Sequence, residues 1–267
     1  MRLAGKVAII TGGGSGIGAA TARLFAAEGA HVVVTGRRPE PLNSVAEEVR
    51  GVAVSGDTAD PSHIANTVEV AASRFGGVDI VVAAAGISPA GSVGEMSDDV
   101  WRKCLDTNLT GPMILARAAL PSMIERGSGS IVLVSSTAGV AAAPASVAYD
   151  VSKAGVIALA RAIAVDYGPQ GIRANALLPG WVKTPMADRS MDALASQEDI
   201  TRPQAYDRAT SDVPLRRAAD ADEMATCCLF LASSDSRYVS GTTLVADGGG
   251  LAVELTSTEF TFGGQSS

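Results

Sequence analysis

Cysteine, histidine and basic charge are scarce in this chain, and each shortage closes a class of function. Three cysteines in 267 residues, Cys104 and the neighbours Cys227 and Cys228, supply neither a disulfide framework nor a metal-ligand spacing. The two histidines lack any flanking ligand pattern, so no metal site is expected. His31 opens a strand and His63 starts a helix, and both read as surface residues. No apolar run approaches the ~20 residues that span a bilayer. Gly5 and Lys6 lead straight into an apolar strand, where a secretory signal would have its long hydrophobic core. With 21 Lys and Arg against 28 Asp and Glu the net charge is -7, the wrong sign for a phosphate backbone. The expectation is a cytoplasmic protein with neither a nucleic-acid nor a membrane partner.

Linkers and repeats are missing too. No Pro/Ser-rich stretch or charge block divides the chain, so a single domain over residues 1–250 with a tail over 251–267 is expected. What is present is alternation. Short apolar strands follow alanine-rich helical stretches from Val7 to about Val245, and 47% hydrophobic residues suffice for one sizeable core. This predicts an α/β fold, a doubly wound parallel sheet of about seven strands.

Two local patterns carry chemistry. Tyr149 and Lys153 stand four residues apart on a predicted helix, on one face a turn apart, where an ammonium can favour phenolate. An unperturbed phenol titrates near ~10, and Lys153 is read as the device that lowers it. Ser136 follows the apolar run Ile131–Ser135, the C-terminal end of a buried strand, where open α/β sheets place their sites. Its hydroxyl is suited to hold a substrate carbonyl.

The second pattern is strand, glycine loop and helix. Lys6–Ile10 runs into Thr11-Gly12-Gly13-Gly14-Ser15-Gly16-Ile17-Gly18, and a helix from Ala19 to Glu28 stops at Gly29. Glycines at 12, 16 and 18 permit a tight turn and a close approach of backbone to a pyrophosphate at the helix N-terminus.

With these residues in view, the chain resembles the short-chain dehydrogenase/reductase family over nearly its whole length. The family's glycine pattern falls on Thr11 to Gly18, its Asn-Ala-Gly segment on Ala84-Ala85-Gly86, and its catalytic quartet on Asn108, Ser136, Tyr149 and Lys153. Its Pro-Gly turn falls on Pro179-Gly180, followed by Val182 and Thr184. The resemblance implies hydride transfer between a nicotinamide and a carbonyl or secondary alcohol carbon, with Tyr149 as acid/base and Ser136 on the same oxygen. It also implies ribose contact by Lys153, carboxamide contact by Val182 and Thr184, and a water anchored by Asn108. Ser15, Ile17, Thr58 and Asp57 fall on the family's cofactor positions, Asp57 near the adenine; its plainer reading is a helix cap.

Two departures stand out. Ala83 and Ala84 occupy positions where the family usually has asparagines, so a repacked sheet is expected. The second strand ends in Gly36-Arg37-Arg38, without the acidic residue that suits NAD; Arg37 can pair with a 2′-phosphate, which favours NADP, with NAD as the alternative. Ser88 and Trp181 are candidates for the substrate pocket, and residues 186–213 match the family's variable substrate lid. Small apolar residues from Val140 to Pro144 suggest a medium-sized neutral ketone or alcohol. Trp101 reads as helix packing. By resemblance a homotetramer is expected, pairing through residues 109–126, 149–168 and 242–246. Three functions compete: an NADP-dependent ketone reductase, an NAD-dependent dehydrogenase of a secondary alcohol, polyol or steroid, and a non-catalytic dinucleotide-binding regulator, which would not need Ser136, Tyr149 and Lys153 together. Enoyl reductases of the superfamily have a longer Tyr-to-Lys spacing, and the epimerase and dehydratase branch a different glycine spacing.

Overall fold

The β-branched runs VAIIT, HVVVTG and GSIVLV, each bounded by glycine or polar turns, form strands, and the alanine-rich segments between them form helices. The computed structural model describes residues 1–253. In chain order these are β1 (Val7–Thr11), α1 (Gly16–Ala27), β2 (His31–Gly36), α2 (Pro39–Glu48), β3 (Val52–Ser55), α3 (Pro61–Phe75) and β4 (Ile80–Ala83). Then come α4 (Asp98–Leu105), α5 (Gly111–Glu125), β5 (Gly129–Val134), α6 (Val147–Tyr167) and β6 (Ile172–Pro179). The described chain closes with α7 (Pro185–Glu198), α8 (Arg202–Ala209), α9 (Ala221–Ala232) and β7 (Thr243–Ala246).

The strands make one seven-stranded sheet in the order β3-β2-β1-β4-β5-β6-β7, every pair parallel. Such a sheet must be covered on both faces, and successive strand residues go to opposite ones. Val7 and Ile9 face one core, with Ile114, Leu115 and Val156 from α5 and α6. Ala8 and Ile10 face the other, with Ala22 and Phe25 from α1 and Leu229 from α9. This is the Rossmann-type fold the sequence predicts. The chain winds outward from β1 to β3 and then restarts at β4 on β1's other side. The crevice beyond the β1 and β4 ends is therefore the topological switch point.

Two local features differ from expectation, the start of one helix and the setting of His63. The helix expected from residue 109 begins at Gly111, after a π turn over Asp106–Thr110; Pro112, which has no N–H to give, sits in its first turn. Beside Ala83 and Ala84, where the sequence lacks the family's asparagines, the Oγ1 of Thr11 accepts from the N–H groups of Ala84 and Ala85, each at 3.2 Å. His63 is not a surface residue: it stands in the first turn of α3, half-buried, with Nε2 2.7 Å from Oγ1 of the fully buried Thr35. Residues 186–213 contain α7 and α8, which share a small core of Ala187, Met191, Ala205 and Tyr206. Gly250–Ala252 form a single turn, and the tail beyond Val253, including Phe262, lies outside the described residues. Among the described residues no helix is long and apolar enough to cross a membrane.

Candidate active site

The β1–α1 turn shapes one end of the crevice. Gly12 has φ +67, and a Cβ there would come within 2.9 Å of the Ala85 nitrogen, so only glycine lets the loop lie against the β4 end. Ser15 occupies the N-cap of α1 yet makes no side-chain cap bond, so the first backbone N–H groups of the helix are left for another acceptor. Gly12, Ser15, Gly16 and Ile17 line a cavity of about 760 Å³ that runs along the C-terminal ends of the strands, and Gly18 supports the loop from beneath.

Sequence-distant residues complete this cavity. Arg37, Arg38 and Thr58 line its β2–β3 end, and Arg38 bonds Ser15 Oγ at 2.9 Å across the mouth. Ala85 and Gly86 come from the β4 end, and Pro179, Gly180, Val182 and Thr184 from the β6 end. Thr184 is also the N-cap of α7. Ser88 and Trp181 line the cavity as well, Trp181 40% exposed. Asp57 does not. It is exposed, accepts from the Ala59 N–H at 2.9 Å, and leaves the capping of α3 to Asp60, because the turn needs both carboxylates for backbone N–H groups.

Ser136, Tyr149 and Lys153 converge on the cavity over β4 and β5. Ser136 lies beyond the last residue of β5, where its Oγ accepts from the Ala138 N–H at 3.1 Å and keeps its own proton to donate. Burial holds the Tyr149 phenol above its ordinary pKa; the Ser136 hydroxyl pulls it down, while Cys104 and Asp150 push it further up. The sequence-based reading, in which Lys153 lowers the phenol, therefore needs correction for the protein by itself. The Lys153 ammonium donates to the Val134 carbonyl at 2.8 Å, and burial brings its own pKa down to about 8.

Asn108 does not line the cavity. It is fully buried in the π turn, where it accepts from the Ile87 N–H and donates to the Ile87 carbonyl, both at 2.8 Å, and reaches Ser152 Oγ at 3.0 Å. Ser152 in turn donates to the Tyr149 carbonyl, and Ser135 to the Lys153 carbonyl, each at 2.7 Å. These side chains fix α6 to the strand ends. Among the described residues there is no cluster of three His, Cys, Asp or Glu able to hold a metal ion.

Known proteins similar to this chain in sequence and fold are numerous. A protein-family model described as enoyl-(acyl carrier protein) reductase matches residues 12–250. Protein MoaE of Klebsiella aerogenes is 40% identical over 259 residues, 96% of this chain and 99% of that protein. A solved short-chain dehydrogenase/reductase family protein superposes with a TM-score of 0.83 at 36% identity, covering 95% of this chain and 100% of the other. An actinorhodin polyketide ketoreductase variant solved with NADPH gives 0.87 at 32% identity, covering 92% and 97%. The chain belongs to the short-chain dehydrogenase/reductase family.

As a member of that family the protein is an oxidoreductase of alcohol and carbonyl groups, and the cavity fits a dinucleotide. A Cβ at Gly18 would collide with the Gly12 carbonyl oxygen, so the loop is folded tightly onto the head of α1, and the free N–H groups there suit a pyrophosphate. Sequence reasoning missed Thr11, Ser135 and Ser152, whose hydroxyls each bond a partner far off in the chain: backbone groups for Thr11 and Ser135, the Asn108 side chain for Ser152. It also missed Ser146 and Ser190, which line the cavity without forming part of any motif.

Proposed function

We propose that the protein is an NADP-dependent ketone reductase. The observation that carries this is the meeting, in one cavity, of Tyr149, Ser136 and Lys153 with a glycine-loop cradle whose far end holds two arginines. NADPH in a related ketoreductase supports the same cofactor here. Arg37 and Arg38 stand where a 2′-phosphate would lie, and Gly36 offers no carboxylate to repel it. Bound there, the reduced nicotinamide supplies the hydride taken by the carbonyl carbon.

The chain's residues do the rest. The head of α1 holds the pyrophosphate, Lys153 the ribose hydroxyls, and Thr184 with the Val182 backbone the carboxamide. The Tyr149 hydroxyl gives its proton to the carbonyl oxygen as charge develops, and the Ser136 hydroxyl donates a hydrogen bond to that oxygen. The high phenol pKa suits an acid that must stay protonated until the transfer; a cationic Lys153 beside the bound ribose then stabilises the phenolate left behind. The four-residue step from Tyr149 to Lys153 favours carbonyl over enoyl reduction.

We further propose a cytoplasmic homotetramer. Alanines 154, 158 and 162 lie on the exposed face of α6, and Val165, Phe230 and Val245 expose apolar surface around α6, α9 and β7. The test is a pair of calorimetric titrations with NADPH and NADH, on the wild type and Arg37→Ala, followed by NADPH oxidation over a panel of ketones. NADPH binding at least about tenfold tighter, with the preference lost in the variant, is expected. Tighter NADH, with turnover of alcohols only, would replace this reading by an NAD-dependent dehydrogenase.

A further inference from the structure

Three serines in the half of the cavity over β4, β5 and β6 make no hydrogen bond within the protein; Ser88 and Ser190 are exposed and Ser146 is half-buried, so their hydroxyls are open to water or to a ligand. Ser88 follows β4, Ser146 precedes α6 and Ser190 lies on α7; all three line the cavity, and among the described residues none of their hydroxyls has a hydrogen-bond partner. Ser146 is the most telling. It is the N-cap residue of α6, a position where a serine ordinarily turns its oxygen back to the helix N–H groups, and it makes no such bond. Nearby serines behave differently: Ser130, Ser135 and Ser152 each donate to a backbone carbonyl within 2.9 Å.

Ala141, Ala143, Trp181, Met186, Val213 and Leu251 line the same cavity and bring apolar surface to it. Charge at this end is already committed. Both Asp247 oxygens accept from backbone N–H groups, of Gly249 at 2.9 Å and Leu251 at 2.7 Å, and the Lys153 ammonium donates to Val134. The charges of the α7–α8 pair also bond one another, Asp188 with the Tyr206 hydroxyl and Asp192 with Arg202, and Arg189 donates to the Pro185 carbonyl.

A hydrocarbon substrate filling this space would strip water from three hydroxyls and give nothing back. Sites built to bond a substrate hydroxyl reject the analogue that lacks it far more strongly than apolar pockets discriminate by size. Among the described residues Lys153 alone brings a positive charge to this half of the cavity, and the reading above gives its remaining donors to the cofactor ribose, so an anionic substrate group would find no cation for itself. Resting on the carbonyl reductase reading above, we infer that the physiological substrate is a compact neutral ketone bearing at least one further hydroxyl or carbonyl oxygen. Ser146 and Ser190 are the specificity-determining residues that bind that oxygen.

The test compares kcat/KM for cyclohexanone and for the hydroxycyclohexanones, with NADPH, in the wild type, Ser146→Ala and Ser190→Ala. The ring and the reacting group are the same throughout, so the ratio reads recognition of the second oxygen. The expected result is a wild-type preference of at least about tenfold for a hydroxylated ketone, reduced several-fold in at least one variant. A ratio near one in the wild type, or a preference unchanged in both variants, overturns the inference and leaves the reductase reading standing. Turnover of no ketone at all while NADPH binds overturns that reading and this inference together.

Discussion

The Lys153 ammonium lies 5.5 Å from the centre of the Tyr149 ring and donates to the Val134 carbonyl, 2.8 Å away. The side chain is 4% exposed, so the protein keeps a cation out of water with one strong bond to show for it. Burial lowers the Lys153 pKa from 10.5 to about 8 as a result.

That shift predicts a stability cost with a definite sign. Between pH 8 and 10.5 the unfolded chain holds a proton that the folded one has released, so stability rises with pH across this window, and the full penalty applies below about 8. Its size is on the order of 3 kcal/mol. Lys153→Met should therefore melt higher than the wild type at pH 7, with the gap narrowing at pH 9.5, while activity is lost. Thermal unfolding at the two pH values checks this; a gap that does not depend on pH would mean the lysine carries no buried charge.

Tyr149→Phe keeps the ring and removes the proton. Turnover should fall by about 10²–10⁴-fold, the usual worth of a positioned acid or base, while NADPH affinity measured by calorimetry stays within about threefold. If ketone reduction survives in the variant, the acid lies elsewhere.

How much of this was legible in the sequence depends on where each constraint lives. The sheet was legible because β1, β2 and β5 are apolar on both faces, and the glycine loop because strand, turn and helix follow without a gap. Tyr149 and Lys153 were legible because four residues is one helical turn. The Lys153–Val134 bond was not, since it joins α6 to β5 and depends on how α6 sits against the strand. Asn108 was found by motif, but its π turn, which aims it at Ile87, leaves no periodic signal. Asp57 and Asp60 are equivalent capping candidates by type, and only the path of the chain into α3 selects Asp60.

Gly18→Ala tests the cradle. The added methyl would strike the Gly12 carbonyl oxygen, a backbone atom that cannot step aside without moving the loop. NADPH affinity should fall at least about tenfold, and stability by about 1–3 kcal/mol, typical of forced overpacking. Calorimetry and chemical denaturation separate the two effects; unchanged binding would show that the loop does not hold the dinucleotide.

His63 makes the protein sensitive to mild acid at the end of the cavity that carries Arg37 and Arg38. Its Nε2 meets Thr35 Oγ1 at 2.7 Å, one residue before Gly36, and burial lowers its pKa from 6.5 although Asp60 and Asp57 pull the other way. With the folded pKa below the unfolded one, the unfolded chain binds the extra proton first, so this contribution is intact above pH 6.5 and is lost as pH falls beneath it. In the tautomer whose Nε2 accepts from the Thr35 hydroxyl, protonation also costs Thr35, fully buried on β2, that acceptor. His63→Gln keeps an amide within reach of that hydroxyl and removes the titration. From pH 7 to pH 5.5 the wild type should lose more thermal stability than this variant, and its NADPH affinity should weaken over the same range. Parallel curves for the two proteins would assign the acid sensitivity to the carboxylates alone.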